Sequence, residues 1–132
     1  MPPTSDIHSV TVDCASPALV GRFWHAVLGG TLELDPVPGD DDWAAIELGA
    51  GPRLLFQKVP EPKTVKNRLH LDVTPSTTRA EEVERLVGLG ATVVADFTEH
   101  GRWTLMTDPE GNEFCVERSL AEKQAGDHQH DE

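Results

Sequence analysis

The stretch "IHSVTVDCASPALVGRFWHAVLGG" (residues 7–30) carries the reading from which the fold follows. Residues 7–14 alternate and are rich in β-branched side chains, which predicts a strand. From residue 16 the period changes. Leu19, Val20, Phe23, Trp24, Val27 and Leu28 recur at helical spacing and form one apolar stripe. Ser16 stands where an N-cap is wanted, Pro17 suits the first turn, and Gly29 or Gly30 can end the helix in the left-handed conformation. Trp24 belongs to the core on this pattern, and Cys14 reads as a small buried hydrophobe.

Outward from this unit, "TLELD" (31–35), "WAAIEL" (43–48) and "RLLFQKV" (53–59) read as strands between Pro, Gly and Asp turns. "PEPK" (60–63) reads as a linker. The order then starts again. "RLHLDV" (68–73) is a strand and "STTRAEEVERLVGLG" (76–90) a helix, with Thr78 and Glu81 at capping-box spacing and Val83, Leu86 and Val87 facing inward. "ATVVADF" (91–97), "RWTLMT" (102–107) and "NEFCVE" (112–117) complete a second β-α-β-β-β series. Four landmarks recur at an interval of about 60 residues: His8 with His70, Leu28-Gly29 with Leu89-Gly90, Trp43 with Trp103, and Gln57 with Cys115. The sequence therefore predicts an α+β chain of two tandem βαβββ modules, residues 6–60 and 67–118, within a domain spanning 1–118. Residues 119–132 are polar and aperiodic and read as a disordered tail.

The chain has 132 residues and a formal net charge of −12. That balance argues against nucleic acid and anionic membrane surfaces as partners, because phosphate binding needs basic patches. No apolar run reaches the ~20 residues of a membrane span, and the first residues lack the pattern of a secretory signal. Two cysteines make no disulfide framework, so a reducing cytoplasm is expected. His25 and His100 read as solvent-facing or loop residues. "GAGPR" (49–53) reads as a hairpin turn rather than a phosphate loop.

One segment stands out chemically. In "DPEGNEFCVE" (108–117), Pro109 and Gly111 suit a tight turn. The following strand then puts Phe114 and Val116 on one face, and Glu113, Cys115 and Glu117 on the other. With "IHSVTVDCASP", the helix ending in "VLGG", "RLHLDV" and "VERLVGLGATVV", this segment resembles the vicinal oxygen chelate superfamily, which includes glyoxalases, bleomycin resistance proteins and extradiol dioxygenases. The resemblance covers about residues 6–118. It implies paired modules whose curled mixed sheets, helices outside, form a cup, and it implies a homodimer. It also implies that metal-using relatives place one ligand on the first and last strand of each module. Here those positions read as His8, Gln57, His70 and Cys115, with Cys115 where a glutamate is usual.

His8 and His70 are thus the leading metal candidates, with Gln57 and Cys115 as further ones. An imidazole and thiolate mixture suits zinc better than oxygen-preferring ions; nickel or manganese would be the family's other options. No carboxylate belongs to this set, and a carboxylate left in an apolar cup without an ion would be costly. The favoured expectation is therefore a small-molecule-binding protein without a cofactor. It would sequester an aromatic or apolar metabolite or drug, with Trp43 and Trp103 as stacking surfaces and His8, Gln57, His70 and Cys115 as contacts. The rival expectation is a metal-dependent lyase or isomerase, or a dioxygenase-like enzyme.

Overall fold

The computed structural model describes residues 3–97 and 103–126. The chain divides into two compact units, residues 1–64 and 65–132. The first contains β1 (Ser9–Cys14), α1 (Pro17–Leu28), β2 (Thr31–Leu34), β3 (Trp43–Glu47) and β4 (Arg53–Lys58). Its sheet has the order β1-β4-β3-β2, with β1 parallel to β4 and the other pairs antiparallel. The second unit contains β5 (Leu71–Val73), α2 (Arg79–Gly88), β6 (Thr92–Asp96), β7 (Trp103–Thr107), β8 (Glu113–Glu117) and α3 (Leu120–Gly126). Its sheet, β5-β8-β7-β6, has the same topology, with β5 parallel to β8. The expected α+β class and both βαβββ series are present. His100 and the residues after Gly126 lie outside the described residues.

In the first unit α1 covers one face of the sheet. Val20, Phe23 and Trp24 are buried, whereas Leu19, expected in the stripe, is 54% exposed at its edge. The sheet answers with Ala44, Ile46, Leu54 and Phe56, all buried and joined by the β3–β4 register. Each large apolar side chain of this kind contributes roughly 1.5–3 kcal/mol on burial. At Gly21 the helix lies close against the sheet, because a Cβ there would lie 2.9 Å from Ala44 Cβ. Ser16 occupies the N-cap position of α1 but makes no side-chain cap hydrogen bond. Asp41 Oδ1 accepts from the Ala18 amide instead, at 2.9 Å. The "GDDDW" segment thus supplies the cap from across the unit, satisfying a donor the helix leaves open.

In the second unit Leu86 of α2, Met106, Phe114 and Val116 are fully buried. Val87, expected to face inward, is 48% exposed. Thr78 caps α2 by accepting from the Glu81 amide at 3.1 Å, and its hydroxyl donates to Glu81 Oε1 at 3.2 Å. The turn before β8 is organised by Asp108, which is 3% exposed. Its Oδ1 accepts from the Glu110 and Asn112 amides at 2.9 and 3.0 Å. Gly111 takes φ 86°, as a tight turn requires.

The tail expected from residue 119 is not wholly irregular. Ser119 Oγ accepts from the Glu122 amide at 3.1 Å, and Glu122 Oε1 accepts from the Ser119 amide at 2.8 Å. This reciprocal capping box starts α3. Glu122 Oε1 also accepts from the Arg79 amide at 2.8 Å, which ties α3 to the start of α2.

Candidate functional site

The two faces of each sheet differ in kind. In the first unit the face that α1 leaves open carries Ser9, Thr11 and Asp13 of β1, paired with Arg53, Leu55 and Gln57 of β4. Trp43 and Ala45 continue it, opposite Gln57 and Leu55. Alternation places all of them together, since paired residues share a face. Arg53 is held in place: its Nε donates to Ser9 Oγ at 3.0 Å, and Nη1 lies 3.8 Å from Glu47 Oε2. A concavity of about 840 Å³ opens on this side, lined by Trp43, Arg53, Leu55 and Gln57, with Asp42 and Lys58 to Pro60 at its end. Its size suits a small organic molecule. Trp43 therefore stands on this open face, with Gln57 beside it.

In the second unit the corresponding face carries Trp103, Leu105, Cys115 and Glu117, with Asp72 beside Cys115. Trp103 is 42% exposed and stacks obliquely on Phe97, with ring centroids 5.5 Å apart. Asp72 and Cys115 are direct cross-strand partners. His70, two residues before Asp72 and exposed, turns its Nδ1 to Asp72 Oδ1 at 2.8 Å. The ligand atoms of His70, Asp72 and Cys115 all lie within 4.8 Å of one another. Burial pushes the Cys115 thiol above its ordinary range; Asp72 and Glu117 add to this by repelling a thiolate, and Lys66 opposes them.

The strand registers correct the sequence-based matching of the two modules. Trp43 pairs with Gln57, whereas Trp103 pairs with Glu117. With the tryptophans matched, Gln57 corresponds to Glu117. Leu55, opposite Ala45, corresponds to Cys115, opposite Leu105. Thr11, opposite Leu55, then corresponds to Asp72, and Ser9 to His70. His8 precedes β1, is exposed, and matches Leu69. Within the first unit Gln57 is level with Asp13, at the far end of the strand pair from His8. Five strand residues separate those levels, about 16 Å, too far for one ion. Within the first unit the register therefore keeps His8 and Gln57 apart. In the second unit His70 and Cys115 gather around Asp72, a residue outside the expected set. Its i, i+2 relation to His70 on a strand was the available signal.

An N, O and S donor set of this kind fits a borderline-soft divalent ion, whereas the first unit's matching positions, Ser9, Thr11 and Leu55, offer two neutral hydroxyls and no third donor. Among the described residues no helix is long and apolar enough to cross a membrane.

Comparison with known proteins places these features. A family described as "glyoxalase-like domain" matches residues 9–117. No curated protein sequence matches. Among solved structures, a glyoxalase/bleomycin resistance protein/dioxygenase family enzyme from Burkholderia phytofirmans superposes with a TM-score of 0.65 at 17% identity, covering 88% of this chain and 99% of that one. TioX from Micromonospora gives 0.58 at 23% identity, over 88% of this chain and 100% of that one. The trypanothione-dependent glyoxalase I of Leishmania major gives 0.60 at 12% identity, over 95% and 94%. At these identities the likeness is one of fold.

Proposed function

Because the chain belongs to the glyoxalase-like domain family of the vicinal oxygen chelate superfamily, we propose that it binds a small aromatic or apolar organic molecule on the open sheet face of its first unit. The observation carrying this reading is the concavity of about 840 Å³ in which the Trp43 ring and Leu55 are flanked by Arg53 and Gln57. The indole and the leucine offer apolar surface for a flat body. The guanidinium and the amide offer directed hydrogen bonds that orient it. The fold hosts many chemistries, so the reading rests on the site and not on the fold.

A metal-dependent lyase or isomerase is the second reading, and it is favoured by the converging His70, Asp72 and Cys115 donors. A bound ion would polarise a substrate oxygen. Homodimerisation, which rests on the resemblance, and a cytoplasmic setting, which rests on a sequence with only two cysteines and so no disulfide framework, complete the proposal. A monomeric mass by light scattering would remove the dimer from it.

The binding reading is tested by thermal-shift screening of aromatic metabolites and drugs against the wild type, Trp43→Ala and Leu55→Asp. Compounds that stabilise the wild type should lose most of that effect in both variants. Hits that stabilise all three proteins equally would place the ligand elsewhere. Turnover of a hit compound, abolished on chelation, would favour the enzyme.

A further inference from the structure

Resting on the binding reading above, we propose that the ligand of the first unit is an elongated organic anion, its carboxylate seated on Arg53 and its flat apolar body against Trp43. Both residues line the concavity on the open sheet face, but at different levels. Trp43 is level with Gln57, which lies along β4 from Arg53 by four residues, a span of about 13 Å. The guanidinium is held at its own level. Its Nε donates to Ser9 Oγ at 3.0 Å, and Ser9 is its direct partner on β1. Its Nη1 lies 3.8 Å from Oε2 of Glu47, on β3 at the other side. Leu55 forms an apolar floor between the two ends. A compact ligand reaches one end, and only an extended one engages both.

The chemistry of the two ends sets the polarity of the ligand. The Ser9 contact uses Nε, and 3.8 Å exceeds hydrogen-bond length, so among the described residues neither Nη group has a protein acceptor. Those two nitrogens form the fork that takes a carboxylate in paired, charge-assisted hydrogen bonds. The Arg53 side chain is 27% exposed, and partial shielding from water strengthens its field. Glu47, 60% exposed, is the competing anion, and an exposed pair at this distance contributes little. The Trp43 end differs. Asp42 and Lys58 line it, and Asp13 stands opposite Gln57. Two carboxylates against one ammonium disfavour an acid there and leave the indole to the apolar body. The net charge of −12 repels anions elsewhere on the chain, so a ligand acid gains where Arg53 stands.

The probes are ω-naphthylalkanoic acids, from naphthylacetic to naphthyloctanoic acid, each with its uncharged primary amide. They are titrated into the full chain by calorimetry at neutral pH. The longer acids should bind at least about tenfold more tightly than their amides, and added salt should reduce that preference. Arg53→Gln should remove the preference and leave amide binding, whereas Trp43→Ala should weaken acid and amide alike. Glu47→Gln, at an exposed side chain, relieves Arg53 of its competitor and should tighten the acids alone. It carries the test if circular dichroism shows Arg53→Gln unfolded, and an unchanged ratio of acid to amide affinity in it then counts against the proposal. Three results would overturn the anion and leave the binding reading standing, provided Trp43→Ala still weakens binding. They are equal affinity of acids and amides, an acid preference that survives Arg53→Gln, and naphthylacetic acid bound as tightly as the longest member. A series in which no member binds, or in which Trp43→Ala changes nothing, overturns both.

Discussion

Replacing Gly21 by alanine tests how tightly α1 is pressed against its sheet. Two effects compete. Alanine is preferred over glycine in a helix interior by about 1 kcal/mol. The added Cβ, however, would lie 2.9 Å from Ala44 Cβ, while Leu32 and Phe56 stand at ordinary contact distances of 3.6 and 3.7 Å. Two carbons prefer about 3.5–4.0 Å. A Cβ cannot rotate away, so helix and sheet must separate, and overpacking of this kind costs about 1–3 kcal/mol. The expected net result is a loss of about 1 kcal/mol. In an Ala44→Gly background the obstructing carbon is gone, and Gly21→Ala should then stabilise by about 1 kcal/mol. The coupling between the two sites should therefore be about 2 kcal/mol, within the range found for residues in contact. Urea unfolding followed by tryptophan emission measures all four proteins. If Gly21→Ala stabilises the wild type as much as it stabilises the Ala44→Gly variant, the packing argument is wrong.

The turn before β8 offers a second test. Asp108→Ala removes the acceptor of the Glu110 and Asn112 amides and of Asn112 Nδ2, and should cost roughly 1–3 kcal/mol in urea unfolding; a loss below the error of the measurement would show that water replaces it. A third concerns pH. Burial acts to raise the pKa of Glu122, but hydrogen bonds from Ser119 and Arg79 outweigh it, leaving the carboxyl below the usual glutamate range. A depressed folded-state pKa gives stability that is present above the unfolded-state value and lost as pH falls through the folded one. The stability difference between wild type and Glu122→Gln should therefore be full at neutral pH and shrink on acidification; a difference that is constant from neutral to acid pH would contradict this.

Element order was legible because it depends on local period. Alternation in "TVDC" and the i, i+3, i+4 spacing of Val20, Phe23 and Trp24 are properties of neighbouring residues, and the second series repeated them. The turn chemistry of Asp108 to Gly111 was legible for the same reason. So was the capping box at Thr78 and Glu81, while the identical signal at Ser119 and Glu122 passed unread because the polar composition around it dominated. What tertiary structure alone decided was register. The interval between Gln57 and Cys115 looked like that between the tryptophans, yet strand pairing matches Gln57 to Glu117 and Leu55 to Cys115. His8 and Ser9 differ by a single step, and only one of them corresponds to His70. A strand's side chains alternate with a period of two, so a one-residue slip reverses the face of each. Local pattern places a residue within its strand. Which residues meet across strands, as Asp72 meets Cys115 and Asp41 meets the start of α1, is settled by hydrogen-bonded pairing between segments distant in the chain.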